Sequence, residues 1–535
     1  MNKLKLFLNK LIKLIFLTKR QKQFISHNYE IYGVNKAESS NNKIILMELN
    51  ETVTSTIASS YFANHLSQYY NANIAAFFPR IPRNTFKKIV WKFRGIFGSP
   101  TYSMYKSFGV KSFIVPSLNK HLTKESDRIY NEQLQILNNK YDVENITING
   151  IVFGDLIYDY FLNYYKIPSI DIESKNFKQH LKFCVQLIVF WSNYLKINNV
   201  EAINVTHTVY TNAIPIRIGV SLGINCFQCN ESHIYRLSQG QVFAYRDFVN
   251  YKTMFENLND DQKVSGVNEA KYRIEKRFSG EVGVDMSYSK KTAFSPPSKH
   301  RLINKSSKIK ILVAPHCFFD SPHPFGFNLF PDVFEWLEEL IRISNQTDYE
   351  WYVKTHPDFI KETKDIVESF FKPHLKFKIL PSDASHIQLI EEGIDLALTM
   401  YGTIGFEYAA MNKPVINASL NNPHIAYDFN IHPKSRDEFT NILMNLNDLE
   451  HEINVNDVYE FYYMKNIYSN RNWLFKDFEL MESHFNPNGD AVRYRQSDED
   501  VYSYWIENFS MQRHLEILDS LTEFTNSGEY RFISN

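Results

Sequence analysis

In the stretch DLALTMYGTIGFEYAAMNKPVINAS, Asp395 to Ser419, an apolar run ends at Thr399 and a turn follows with Gly402, Thr403 and Gly405. A helical segment comes next, and a second apolar run opens at Pro414. Two short apolar runs joined through a helix are the signature of parallel strands with a crossover, because parallel neighbours cannot be joined by a hairpin. The runs hardly alternate in polarity, as expected of strands covered on both faces. This unit sets the fold class as α/β.

The same alternation extends outward. IKILVAPH, YEWYVKTH and FKIL precede the unit as further strands, with LFPDVFEWLEELIRIS between them as a helix. Near the beginning, KIILMEL, ANIAAFF, KSFIVP, EAINVTH and INCFQC read as strands, and TVTSTIASSYFANHLSQYY reads as a helix. The turn-rich AFSPPSKHRLINKSS separates the two series. The predicted architecture is two doubly wound domains facing a cleft. Its parts are a basic amphipathic helix at 1–26, an amino-terminal domain at 27–290, a linker at 291–308, a second domain at 309–455 and a helical extension at 456–535.

The totals suit a soluble multidomain protein. The chain has 535 residues, and Lys+Arg and Asp+Glu balance at 59 each, so no overall field favours nucleic acid. Four cysteines do not make a disulfide framework and suggest a reducing compartment. Cys226 and Cys229 have the spacing of a metal or redox pair, yet no second pair completes a zinc set, so they read as buried thiols. The opening MNKLKLFLNKLIKLIFLTKRQKQF gathers Leu4, Phe7, Leu8, Leu11, Ile12 and Ile15 on one arc and Lys3, Lys5, Lys10 and Lys13 on another. It is too short in apolar residues to span a bilayer and is expected to lie on an anionic membrane surface or to dock on its own protein.

Candidate chemistry lies at the strand ends. In WYVKTHPDF, Trp351 to Phe359, a strand delivers Lys354 and His356 to one edge, and Pro357 biases the histidine towards extended backbone. The turn after Thr399 offers backbone N–H groups at Gly402 and Gly405 and the Thr403 hydroxyl to an anion. Glu407 then stands where a sugar hydroxyl of a nucleotide would reach it. If both strand ends share one carboxyl edge, they converge on an anion site. In the first half, Asp155 is the leading candidate for a general base, His207 is the second, and Glu48 is a further one. His316, Asp320 and His323 in APHCFFDSPHPFG are expected in a loop at the cleft, as substrate contacts or loop hydrogen bonds rather than metal ligands.

KTHPDF, the Ser385–Ser419 segment and NNPHIAYDF resemble the donor-binding half of GT-B glycosyltransferases of bacterial capsular polysaccharide synthesis, including the Kdo-transferase-like group. The likeness to CDP-glycerol polymerases and His-Pro sialyltransferases is more distant. The resemblance implies two Rossmann-like domains, a nucleotide-sugar as substrate, and neither metal nor other cofactor. It also implies that His356 contacts the donor phosphate, that Thr399, Gly402 and Thr403 cradle it, and that the first half binds a lipid-linked or polysaccharide acceptor. With the basic amphipathic start, this places the protein in the cytoplasm against the inner face of the plasma membrane. A sugar-nucleotide epimerase and a noncatalytic glycan-assembly scaffold are the alternative expectations.

Overall fold

The computed structural model describes residues 17–32, 42–50, 52–79, 100–286, 288–469, 472–475, 478–485 and 491–533. Two sheets organise them. The first is built from β1 (Lys43–Glu48), β2 (Asn73–Phe77), β3 (Val110–Ile114), β6 (Asn199–Val205), β7 (Asn225–Cys229) and β8 (Ile234–Leu237). A two-stranded hairpin of β4 (Thr147–Ile148) and β5 (Ile151–Val152) stands apart from it. The order is β3-β2-β1-β6-β7-β8, parallel except for the antiparallel β8 at the edge.

The second sheet contains β9 (Lys310–Val313), β10 (Glu350–Val353), β11 (Phe377–Ile379), β12 (Leu396–Thr399) and β13 (Val415–Asn417). Its order is β11-β10-β9-β12-β13, parallel throughout. In both sheets the chain runs outward to one edge and then returns to start beside its first strand. Each therefore has a reversal point, β1/β6 in the first and β9/β12 in the second, where the loops diverge and leave a crevice. The architecture is that of a GT-B-like protein with two Rossmann-type halves.

Alternation along the strands sorts the core. Leu46, Phe77, Ile203 and Cys226 fall on one face of the first sheet, and Ile45, Met47, Ala76, Ala202 and Cys229 on the other. Cys226 and Cys229, three apart on one strand, therefore point to opposite sides. Burial pushes both thiols up, and among the described residues no cluster of metal-binding side chains occurs. The Leu46 face is continuous with a face of the second sheet that includes Ile311, Val313, Trp351 and Leu398. The two halves share one apolar core.

Buried polar contacts reinforce the join. His323 has no exposed side-chain surface; its Nδ1 lies 2.6 Å from Asp159 Oδ1 and its Nε2 2.8 Å from Glu144 Oε1. Although burial opposes the charge, the two carboxylates and their hydrogen bonds raise its pKa well above that of an ordinary histidine. The ring is thus an imidazolium donating from both nitrogens. Close by, Asp332 caps the helix Val333–Gln346 and accepts hydrogen bonds from Tyr158 Oη at 2.5 Å and Ser169 Oγ at 2.6 Å. His323 was expected at the cleft, so its role as an internal tie between the halves is a correction.

The packing of the ends also differs from the sequence expectation. Helix Asp260–Phe278, assigned to the first domain, packs with Phe406, Tyr427 and Phe461 of the second half. The carboxyl-terminal segment is not all helix, since β14 (Met481–Phe485) and β15 (Ala491–Arg495) form an antiparallel pair in it. Trp473, Trp505, Leu521, Phe524 and Phe532 of that segment complete the core of the first half with Phe24, Ile57 and Tyr61. Residues 1–16 of the expected amphipathic helix lie outside the described residues. The following helix, Lys19–Ile31, is docked: Phe24 is buried, and Asn28 receives Trp505 Nε1 and donates to Ser107 Oγ.

Removing the histidine between two buried carboxylates leaves charges without a partner. The substitution His323→Ala is expected to lower stability by about 3–5 kcal/mol, read from denaturant unfolding. Because the folded pKa is raised above the usual 6.5, the contribution is complete below that pH and is lost as pH rises through the folded value. Wild-type stability should therefore fall with rising pH above about 6.5 more steeply than that of the variant.

Candidate functional site

The crevice at the β9/β12 reversal receives loops from three strands. β10 ends at Val353 and the backbone continues extended, with Lys354 N donating to Val313 O at 3.1 Å. The Lys354 side chain is 3% exposed, and its Nζ lies 3.3 Å from His386 Nε2. His386 Nδ1 is in turn 3.0 Å from Tyr408 Oη. Two residues after Lys354, His356 Nδ1 accepts from the Asp358 N–H at 3.1 Å. A neutral imidazole accepting at Nδ1 carries its proton on Nε2, so that nitrogen is left as a donor.

From β12, Thr399 Oγ1 donates to Ala314 O at 3.3 Å and accepts from Gly402 N at 3.2 Å. Gly402 leaves room for its neighbours: a Cβ there would meet Thr399 Oγ1 at 2.9 Å and His316 Nε2 at 3.3 Å. Gly405 has a different cause. A Cβ at Gly405 would come within 2.4 Å of the His424 ring, so this glycine is required by packing rather than by an anion. The predicted cradle loses Gly405 for that reason.

Glu407 is also differently employed. Its Oε1 accepts from Arg277 Nε at 2.9 Å and Nη2 at 2.5 Å, in an ion pair that is nearly solvent-free. Arg277 comes from the helix Asp260–Phe278, which carried no signal of a site in the sequence. The partner for Glu407 is thus an arginine supplied from before the linker. The carboxylate still borders the cavity.

Lys354, His356, His386, Thr399, Thr403 and Glu407 surround a cavity of about 250 Å³, and Met286, Ala293, Phe359 and Ile404 supply its apolar wall. His316 also lines it, with its ring against Tyr401 at 4.2 Å between centroids. The cavity gathers several donors, and its one lining carboxylate, Glu407, is held by Arg277. Burial, opposed by Glu407 and Asp383, brings Lys354 down to about 8. Burial lowers His356, takes His316 down to about 4 and takes His386 well below the usual range. All three imidazoles are neutral near pH 7. The arrangement offers an ammonium, an imidazole N–H and the Thr403 hydroxyl to an anion, and an anionic guest would stabilise the lysine's charge.

The first-half candidates separate. Asp155 is buried and bonded to Arg217 Nη2 at 2.5 Å, within an ion pair inside its own half. The carboxylate is taken up by a buried ion pair and is closed to a substrate hydroxyl, and the expectation for Asp155 is corrected on that ground. Glu48 is enclosed at the β1 end, accepting from Thr206 N, Thr206 Oγ1 and Asn212. His207 is exposed in the loop after β6. Farther along this loop, Tyr210 Oη donates to Asp320 Oδ1 at 3.1 Å, in the loop after β9. The loops at the two reversal points therefore meet, and His207 and His316 belong to them.

No family model matches the sequence, and no curated protein matches it. Among solved structures, the chain is similar to a Thermosulfurimonas dismutans KpsC, a beta Kdo 2,4 transferase, at 11% identity and TM-score 0.32, covering 58% of this chain and 88% of that one. It is also similar to Methanocaldococcus jannaschii UDP-GlcNAc 2-epimerase in complex with UDP-GlcNAc and UDP, at 11% identity and TM-score 0.23, covering 78% and 97%. A third is the wall teichoic acid polymerase TagF, at 11% identity and TM-score 0.22, covering 87% and 94%. Scores this low carry no functional argument; the strand orders and the cavity do.

The lysine gives the site a pH signature. Uridine diphosphate affinity, measured by calorimetry, is expected to weaken as pH rises above about 8, by up to about tenfold per pH unit, as the free ammonium loses its proton. The substitution Lys354→Met should lower the affinity at pH 7 and abolish that slope.

Proposed function

We propose that the protein is a glycosyltransferase that moves a sugar from a nucleotide-activated donor to a growing capsular or other surface polysaccharide. The observation that carries this reading is the convergence of Lys354, the His356 Nε2–H, Thr399 and Thr403 on one cavity at the reversal point of a parallel sheet. As the bond between sugar and phosphate breaks, negative charge grows on the departing nucleotide. Fixed donors stabilise that charge without reorganising, which makes them more effective in the transition state than in the ground state.

His356 binds the phosphate and does not act as the base, because its pKa is lowered and its Nδ1 is occupied by the Asp358 amide. The proton of the attacking hydroxyl is taken from the facing loop, where His207 is the candidate that remains exposed. The acceptor lies over the first half. Residues 1–16 hold the enzyme against an anionic membrane, which brings it to a lipid-linked acceptor. Among the described residues no helix is long and apolar enough to cross a membrane.

Donor turnover against a panel of UDP-, GDP-, CDP- and CMP-sugars tests the reading. His356→Ala and Thr403→Ala should each reduce kcat/KM by about 10²–10³-fold. His207→Ala should reduce kcat by about 10²–10⁴-fold and leave donor affinity unchanged. Full turnover in the His356 and Thr403 variants removes the donor site, and an epimerised donor in place of a transferred sugar establishes the alternative enzyme. For the membrane, deletion of residues 1–16 should release the protein from phosphatidylserine vesicles. A deletion running past Phe24 would remove core and confuse the result.

A further inference from the structure

A second recess lies at the opposite edge of the first sheet, where β2 and β3 begin, between the helices Lys19–Ile31 and Val53–Tyr70. Its volume is about 570 Å³, more than twice that of the donor cavity and within the usual range of about 300–1,000 Å³ for ligand sites. Its lining has a distinctive chemistry. It contains side-chain amides at Asn64, Gln68, Asn71 and Asn73, ammonium groups at Lys106 and Lys111, and no carboxylate. Tyr29 stands on its border with 46% of its surface exposed.

Part of this polar surface is already satisfied and part is free. Gln68 Nε2 donates to Asn64 Oδ1 at 2.8 Å and Asn64 Nδ2 to Phe108 O at 2.9 Å, which fixes the inner amides. The side chains of Asn71, Asn73, Lys106 and Lys111 make no hydrogen bond or ion pair among the described residues. Tyr32 also lines the recess, and its buried hydroxyl has no partner among the described residues. Asn71 is held in the left-handed region at φ 51°, as the cap that ends the helix Val53–Tyr70. The outer polar groups are therefore carried on regular elements and meet no acceptor among the described residues.

We propose that this recess is a binding site for an acidic oligosaccharide, separate from the donor site. A sugar ring presents apolar C–H faces to the exposed Tyr29 ring, and its hydroxyls pair with the Asn71 and Asn73 amides. Carboxylates of the glycan are met by Lys106 and Lys111. A flat anionic membrane would meet the lysines but would leave a concave, amide-lined space unfilled, so the glycan is the occupant that the shape favours. The recess is at the strand starts and the donor cavity at strand ends. A chain bound here is consequently held while its growing end is elsewhere.

Equilibrium binding of oligogalacturonate, oligosialate and hyaluronan oligomers tests this site, with a neutral maltooligosaccharide as control. At least one acidic oligomer should bind at least tenfold more tightly than the neutral one, with affinity falling as salt is raised. The combined Tyr29→Ala, Lys106→Glu and Lys111→Glu variant should lose at least tenfold of it, while keeping its melting temperature and its shift with uridine diphosphate. Unchanged glycan affinity in that variant, or no acidic oligomer binding to the wild type, overturns the site. Loss of phosphatidylserine-vesicle binding in the variant without any glycan binding assigns the surface to the membrane instead. His356→Ala leaves this binding intact if both readings hold, so failure of the donor site and failure of the recess are read separately.

Discussion

The imidazolium of His323, enclosed by Asp159 and Glu144, is the constraint on which the relation of the two halves rests. Burying three ionisable groups costs solvation, and only close pairing recovers it. The recovery requires the loop after β9 to sit against the helix Gly154–Tyr165 in one geometry. Ser321 Oγ and the His323 amide add two further hydrogen bonds to Asp159. Tyr158 meets Asp332 beside them, and the apolar core runs on beneath. A pair of sheets joined only by a flexible linker would have no such agreement to keep.

That fixed relation has a chemical use. The loop anchored at His323 is the one that begins with His316 at the cavity beside β12 and passes Asp320, which meets Tyr210 of the facing half. On the opposite flank, Arg277 grips Glu407 from the helix before the linker. The cavity is thus flanked by groups already engaged with one another, and the Lys354 ammonium lies beside a neutral imidazole. An anionic guest meets a host already assembled.

Much of the fold could be read from the sequence because buried parallel strands declare themselves. KIILMEL, IKILVAPH and LALTM have too little alternation to be anything that faces water on one side, and each became a strand. The two-residue strands β4 and β5 gave no such signal, and neither did the carboxyl-terminal hairpin, whose strands carry polar residues. The cavity was partly legible: Lys354, His356, Thr399, Gly402 and Thr403 were found because strand ends in such sheets share an edge. What a linear string withholds is the partner. Nothing near Asp155 announces Arg217, nothing near Glu407 announces Arg277, and the glycine at 405 looks the same whether an anion or His424 lies opposite. His386 was missed because a histidine opening a short, partly apolar helix reads as core, and it is indeed buried.

The return of the last helices to the first half sets an order of events during synthesis. Trp505, Leu521, Phe524 and Phe532 fill the face of the first sheet that Phe24, Ile57 and Tyr61 leave open. A ribosome adding about 5–20 residues per second releases those side chains only after the whole second sheet. The second sheet can close while translation continues, whereas the first, although made earlier, stays unsealed on one side until residues 505–532 have emerged. A nascent chain stalled before Trp505 would expose an apolar sheet face, the kind of surface that chaperones and proteases recognise.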